Sequence, residues 1–303
     1  MPKIAFAPLP IESDEIKDVS VAGSSAGFFI GATSSTAMPQ VLHGRIVDGR
    51  IAWSAPWAAP LPPSFVNRGV GPDEVHGLAL GVDALDPMRL AITWIEYQGG
   101  CYGVFVGRWG ETCAYLPSPT DSDIRFGDPI LLRGAELFTH ETSALWHYRG
   151  DKGVSLETLD VADELGWHAG IDASGETLVF EAFSKLLFFE RAGTGAFRRT
   201  RVVKTPSPID RLAVIHDGRA LTVMGSEIYL YGRDGADMKI RSVAAGAGVL
   251  AVSAERAVFE LGDEIVVVDI ATGAEQRFAA HGTVAAFSGQ LAVIASSAGV
   301  YVV

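Results

Sequence analysis

The C-terminal stretch, residues 281–303, constrains the fold more than any other part of this 303-residue chain. It contains three short runs of β-branched and apolar residues separated by two Ser/Gly turns, a pattern that predicts an antiparallel meander of three strands. The run at residues 3–7 has the length and character of a fourth strand. Pairing this run with the end of the chain would remove an exposed sheet edge. The two ends together predict one four-stranded blade of a β-propeller.

The remainder of the chain divides into units of similar size. Seven units in 303 residues give about 43 residues each, within the roughly 40–45 residues of such blades. Asp48-Gly49 is a strong hairpin signal between two strands of the first unit. The third unit is the least regular, and three strands are predicted for it, at residues 132–139, 143–148 and 154–159. The sequence therefore predicts an all-β, seven-bladed β-propeller closed by the N-terminal strand, which completes the last blade.

Two irregular segments interrupt the strand pattern. Residues 56–75 are rich in proline, which prevents regular strand pairing, and residues 117–133 are irregular and acidic. Both are predicted to be surface insertions in a single propeller domain that spans residues 1–303.

The charge and the cysteine content exclude several classes of function. The formal net charge of -12 would repel the phosphates of nucleic acids and an anionic membrane surface. The two cysteines, Cys101 and Cys113, are too few for a disulfide framework. Prolines and acidic residues interrupt the N terminus, so no signal peptide is predicted, and no apolar run approaches the roughly 18 residues of a membrane span. A cytoplasmic protein with free thiols is expected.

Two segments resemble a known family. The final segment, AAHGTVAAFSGQLAVIASSAGVYVV, resembles the last repeat of a WD-repeat or quinoprotein-type β-propeller, and VVVDIATGAEQRF resembles a strand–turn–strand of such a blade. The Trp-Asp dipeptide of WD repeats is absent, so the resemblance implies the architecture and no subfamily. The family implies an assembly platform, and a minority of its members are enzymes or sugar-binding proteins.

The leading interpretation is a non-catalytic scaffold that binds a protein partner through loops on its faces. Aromatic and arginine side chains of the two insertions are the predicted anchors for that partner, because such residues dominate binding energy at interfaces. They are Trp57, Phe65, Arg68, Arg125 and Phe126. No cofactor is expected for this function, and the sequence leaves the oligomeric state open.

The first alternative is a metal-dependent enzyme. His76, His168 and His281 each fall at or just before the first strand of a predicted blade, and His140 is predicted near the equivalent point of the third. Imidazoles from separate blades that met on the propeller axis would bind Zn, Fe or Cu. The competing interpretation is that each histidine forms hydrogen bonds within its own blade. A carbohydrate-binding propeller ranks third, because the tryptophan positions do not repeat from unit to unit.

Overall fold

The fold is a seven-bladed β-propeller. The computed structural model describes residues 5–11, 16–61, 66–67, 69–96, 103–117, 130–141, 144–158, 170–182, 184–214, 217–232 and 237–303. Each of its seven sheets is an antiparallel meander whose first strand is at one edge. None of the helices in these described ranges is long and apolar enough to cross a membrane.

Two compact units divide the chain. The first unit contains blades 1, 2 and 7 with part of blade 3, and the second contains blades 4, 5 and 6 with the rest of blade 3. Blade 1 consists of β2 (Ile16–Ser24), β3 (Gly27–Ser34), β4 (Gln40–Val47), β5 (Arg50–Trp53) and β6 (Trp57–Ala58). Blade 2 consists of β7 (Val75–Val82), β8 (Arg89–Glu96), β9 (Gly103–Arg108) and β10 (Ala114–Pro117), and a short 3-10 helix, Pro72–Glu74, precedes it.

Blade 3 has four strands, which are β11 (Leu131–Arg133), β12 (Glu136–Glu141), β13 (Ala144–Arg149) and β14 (Lys152–Thr158). The three-strand prediction for this blade was wrong. The predicted first strand, residues 132–139, is split by a turn in which Gly134 has a φ of 57°, and Arg133 pairs with Glu136. Glycine adopts this left-handed conformation without the steric cost that other residues incur.

The second unit holds three regular blades. Blade 4 consists of β15 (Ile171–Ser174), β16 (Thr177–Ala182), β17 (Lys185–Glu190) and β18 (Arg198–Lys204). Blade 5 consists of β19 (Arg211–Val214), β20 (Ala220–Met224), β21 (Glu227–Tyr231) and β22 (Asp237–Ser242). Blade 6 consists of β23 (Gly248–Val252), β24 (Arg256–Leu261), β25 (Glu264–Asp269) and β26 (Glu275–Ala279).

Blade 7 joins the two ends of the chain, as predicted. It consists of β27 (Val284–Ser288), β28 (Leu291–Ser296), β29 (Gly299–Val302) and the N-terminal strand β1 (Ala5–Ala7). β1 is antiparallel to β29, and Phe6 lies opposite Tyr301.

The core of the first unit lies between neighbouring sheets. Successive side chains of a strand point to opposite faces of its sheet. Phe28 accordingly packs with Val293 and Val302 of blade 7, whereas Phe29 packs with Val75 and other residues of blade 2. Blade 1 therefore shares one apolar layer with each neighbour, and these layers fix the positions of β2 and β7.

Candidate functional site

The loops at one end of blades 1 and 2 form the candidate site. β2 begins at this end, because Ile16 pairs with Ser34 at the end of β3, and residues 35–39 therefore turn here. The backbone N–H of Gly77, near the start of β7, donates to the Asp18 side chain, so β7 also begins at this end. We call this surface the loop face and define it by the described residues 16–18, 35–39, 59–61, 66–67 and 69–77.

The N-terminal end of the first insertion is attached to blade 1. β5 pairs with one half of β4, and β6 pairs with the other half, where Trp57 lies opposite Val41. The Ala59 backbone N–H donates to the Pro39 carbonyl at 3.0 Å. The insertion that was predicted to span residues 56–75 thus begins with a strand, because the prolines that follow Trp57–Ala58 do not prevent this short pairing.

The C-terminal end of the insertion is attached through Lys17. Its ammonium nitrogen, Nζ, lies 3.1 Å from the Pro72 carbonyl oxygen, 2.9 Å from that of Asp73 and 3.0 Å from that of Val75. An ammonium group has three N–H donors, so these contacts use all of them. Lys17 occupies a register shift between β2 and β3, and such bulges redirect side chains at the ends of strands.

Asp18 and His76 face each other across the two blades. Asp18 Oδ2 accepts hydrogen bonds from Thr33 Oγ1 at 3.3 Å and from the Gly77 N–H at 3.2 Å. His76 Nδ1 lies 3.9 Å from the same oxygen, and the side chains of His76 and Asp18 are 36% and 44% exposed. A register shift in β7 and the left-handed Gly77, with a φ of 55°, produce this approach. The result is an oriented carboxylate beside an imidazole at the surface.

Two apolar side chains of the loop face point to solvent. Val66 of the insertion is 63% exposed, and Met38 of the β3–β4 turn is 36% exposed. Asp73 is also exposed at this end. The loop face therefore presents both apolar side chains and carboxylates to solvent.

The structure locates three of the four predicted metal-binding histidines. His76 is the second residue of β7 and His281 precedes β27, as predicted. His140 is buried on β12, the second strand of blade 3, so its predicted position near the first strand was wrong. The reason is the unrecognised turn at Gly134, which makes the strand that contains His140 the second strand of the blade instead of the first. His168 lies outside the described residues.

His281 contacts two carboxylates of blade 6. Its Nδ1 lies 3.4 Å from Glu260 Oε1, and its Nε2 lies 3.3 Å from Asp263 Oδ1. The two carboxylates contact different nitrogens of the His281 imidazole, on opposite edges of that ring, and therefore do not converge on one nitrogen. Within the residues whose placement is described, no group of three or more His, Cys, Asp or Glu side chains is arranged to hold a metal ion. Metal binding by the four histidines stays a prediction, because His168 is not among those residues.

Of the five predicted partner anchors, Trp57 alone is among the described residues. Its side chain is partly buried and packs against the apolar layer between blades 1 and 2. Phe65 and Arg68 of the first insertion, and Arg125 and Phe126 of the second, lie outside the described residues. Their role stays a prediction.

Sequence reasoning did not single out Lys17 and Asp18. The carbonyl partners of Lys17 are 55 to 58 residues away in sequence and carry no side-chain signal. The sequence offered a partial signal. Lys17 and Asp18 are adjacent charged residues near the start of the first strand of blade 1, and charged side chains are rarely buried without a partner. Glu181 was also missed. It is buried in blade 4, where its carboxylate accepts a hydrogen bond from the Gly170 N–H at 3.0 Å.

Comparisons with known proteins identify the fold and no family. Neither any protein-family model nor any curated protein matches the chain. A chain of the mitotic checkpoint complex superposes with a TM-score of 0.64 at 13% identity, covering 99% of this chain and 94% of that one. Virginiamycin B lyase from Staphylococcus aureus gives 0.63 at 13% identity, covering 99% and 98%. Saccharomyces cerevisiae Sqt1 gives 0.52 at 12% identity, covering 93% and 82%. At these identities the similarity establishes the propeller architecture, which is found both in assemblies and in an enzyme.

Proposed function

We propose that this protein is a binding platform that recognises a protein partner through the loop face. The observation that carries the proposal is the attachment of the first insertion at both of its ends. Strand β6 and Ala59 fix one end to β4 and Pro39, and Lys17 fixes the other end to β2. A loop that is held in place before binding loses less conformational entropy when it binds.

The exposed side chains of the loop face support this function. Val66 and Met38 offer apolar area to a partner, and Trp57 packs against the apolar layer between blades 1 and 2. Phe65 and Arg68 would add an aromatic group and a cation to the same insertion. The second insertion, with Arg125 and Phe126, is proposed as a further part of the recognition surface. The similarity to a chain of the mitotic checkpoint complex favours a protein partner.

A pair of matched variants tests the proposal. Val66 and Leu85 are both exposed apolar residues, at 63% and 74%. Val66 belongs to the insertion that precedes β7 in sequence, and Leu85 belongs to the turn that follows β7. We expect affinity-tagged wild-type protein to recover a stoichiometric partner from native lysate. Val66→Ser should reduce that recovery at least about fivefold, because it removes apolar contact area, whereas Leu85→Ser should leave it unchanged.

Two results would contradict the proposal. One is the failure to recover any stoichiometric partner across several growth conditions. The other is equal recovery by both variants, which would place the binding surface elsewhere. Circular dichroism of both variants checks that each is folded.

The second candidate function is that of a metal-dependent enzyme. The observation that favours it is the position of His76 and His281 at or before the first strands of two blades. A histidine-to-alanine variant of virginiamycin B lyase, which is also similar in structure to this chain, is catalytically inactive, so a propeller can support chemistry that requires a histidine. Elemental analysis decides this candidate. Less than about a tenth of an equivalent of Fe, Zn or Cu after reconstitution would exclude it.

A further inference from the structure

The Asp18 carboxylate is held in a fixed orientation at the surface. Thr33 Oγ1 and the Gly77 N–H both donate to Oδ2, and 44% of the side chain is exposed to solvent. The two donors come from different blades, so the relative position of β3 and β7 determines where the carboxylate points. A preoriented carboxylate is a strong acceptor for a charged donor.

Within the described part of the chain, no lysine or arginine nitrogen forms an ion pair with this carboxylate. The neighbouring ammonium of Lys17 donates to three backbone carbonyls instead. His76 is the ionisable nitrogen group that approaches Asp18, at 3.9 Å, and an imidazole is a cation only when it is protonated. Asp18 is therefore a half-exposed, oriented carboxylate that is not ion-paired to any lysine or arginine of the described residues.

The residues around Asp18 indicate the chemistry of a group that would bind to it. Val66 and Met38 are exposed apolar groups on the same face, and Asp73 adds another exposed carboxylate. The chain as a whole carries a net charge of -12, which attracts a cationic partner over a distance. We propose that Asp18 receives the guanidinium or ammonium group of an arginine or lysine in the partner, beside an apolar residue that contacts Val66.

This inference rests on the proposed function and names the chemistry of the partner segment. A cationic side chain would bind to the outer edge of the Asp18 carboxylate, while Thr33 and Gly77 keep their hydrogen bonds on Oδ2. Asp18→Asn keeps the shape and an acceptor oxygen for those two donors, so the variant removes the charge with little other change.

A random-peptide display library provides the probe. Wild-type protein and the Asp18→Asn variant are both used as bait, and Asp48→Asn serves as the matched control. Asp48 lies in the β4–β5 turn, at the other end of blade 1, and its φ of 52° is one that asparagine readily adopts. We expect arginine and lysine to be enriched in peptides selected by the wild-type and Asp48→Asn proteins, and not in those selected by Asp18→Asn.

The best peptide is then synthesised with arginine and with its neutral analogue citrulline. We expect about a tenfold rise in Kd for the citrulline peptide on wild-type protein and for the arginine peptide on Asp18→Asn. The two changes together should cause no further loss, which is the sign that the two groups interact directly.

Additive losses, or selection of the same peptides by wild-type and Asp18→Asn proteins, would overturn the assignment of Asp18. Such results would leave the proposed function standing as long as Val66→Ser still reduces partner recovery. If Val66→Ser and Leu85→Ser recover the native partner equally, the proposed function fails whatever the peptides show.

Discussion

Lys17 helps to organise the loop face. Its ammonium bonds three carbonyls of the segment that leads into β7, and so joins blade 1 to the insertion. Hydrogen bonds to a charged group stabilise a fold more than neutral ones do, and carbonyls that lose such a partner must find water.

We expect Lys17→Met to lower the free energy of unfolding by about 1–2 kcal/mol and to speed amide exchange in residues 72–77. Lys204→Met is the control, because it removes the same charge from an exposed position on β18. Urea denaturation and hydrogen–deuterium exchange measure the two effects. Equal behaviour of both variants would show that the three contacts of Lys17 are not made in solution.

Cys113 is a partly buried cysteine close to the carboxylate of Glu111. It is a free thiol, and burial, together with the negative charge of Glu111, raises its pKa to about 11. The thiolate is the reactive form, so a raised pKa reduces reactivity at neutral pH.

In a Cys101→Ser background, we expect Cys113 to react with iodoacetamide at pH 8 roughly a hundredfold more slowly than free cysteine. The rate should keep rising until the pH approaches 11, because the thiolate population grows over that whole range. Glu111→Gln should raise the rate modestly by removing the smaller of the two causes. A rate that levels off below pH 9 would contradict the burial of this thiol.

Among the single elements, strand β1 has one buried face and one exposed face. Ala5 is 8% exposed and belongs to the apolar layer with Val293 and Val302, whereas Phe6 is 50% exposed and its ring packs at a tilt against that of Tyr301. Adjacent residues of a strand point to opposite faces, so a charge should be tolerated at one position and not at the other.

We expect Ala5→Asp to lower the free energy of unfolding by about 3 kcal/mol or more, because it buries an unpaired charge. Phe6→Asp should cost about 1 kcal/mol or less, since its side chain is half in water. Thermal and urea denaturation compare the two. If both variants match the wild type, β1 does not complete blade 7.

The sequence predicted some elements well and others poorly, for physical reasons. The Asp48-Gly49 hairpin was predicted correctly: β4 ends at Val47 and β5 begins at Arg50, because this dipeptide suits a two-residue turn. The Gly134 turn was missed, because a glycine between arginine and alanine carries no such signal. The pairing of Trp57–Ala58 was missed because the nearby prolines predicted an irregular segment. Two consecutive residues that are not proline are nevertheless enough for this short strand.

At the scale of the whole molecule, the propeller architecture was predictable from the repeated strands and the complementary ends of the chain. The first insertion was predicted as a recognition surface, but its attachment to β2 was not predicted, because that attachment depends on contacts between residues far apart in sequence. Lys17 lies 58 residues from Val75, and Asp18 lies 59 residues from Gly77. Neither pair carries a local motif that would associate its members. The regular blades thus carry loops whose mutual contacts are visible only in the tertiary structure.

Hydrogen–deuterium exchange of the protein with and without its recovered partner tests binding through the loop face. Binding through the loop face predicts that the partner slows exchange in residues 35–39 and 59–77. Exchange in the β4–β5 turn and the β7–β8 turn, at the other end of these blades, should not change. Protection confined to those two turns, with none in residues 59–77, would show that the partner does not bind through the loop face.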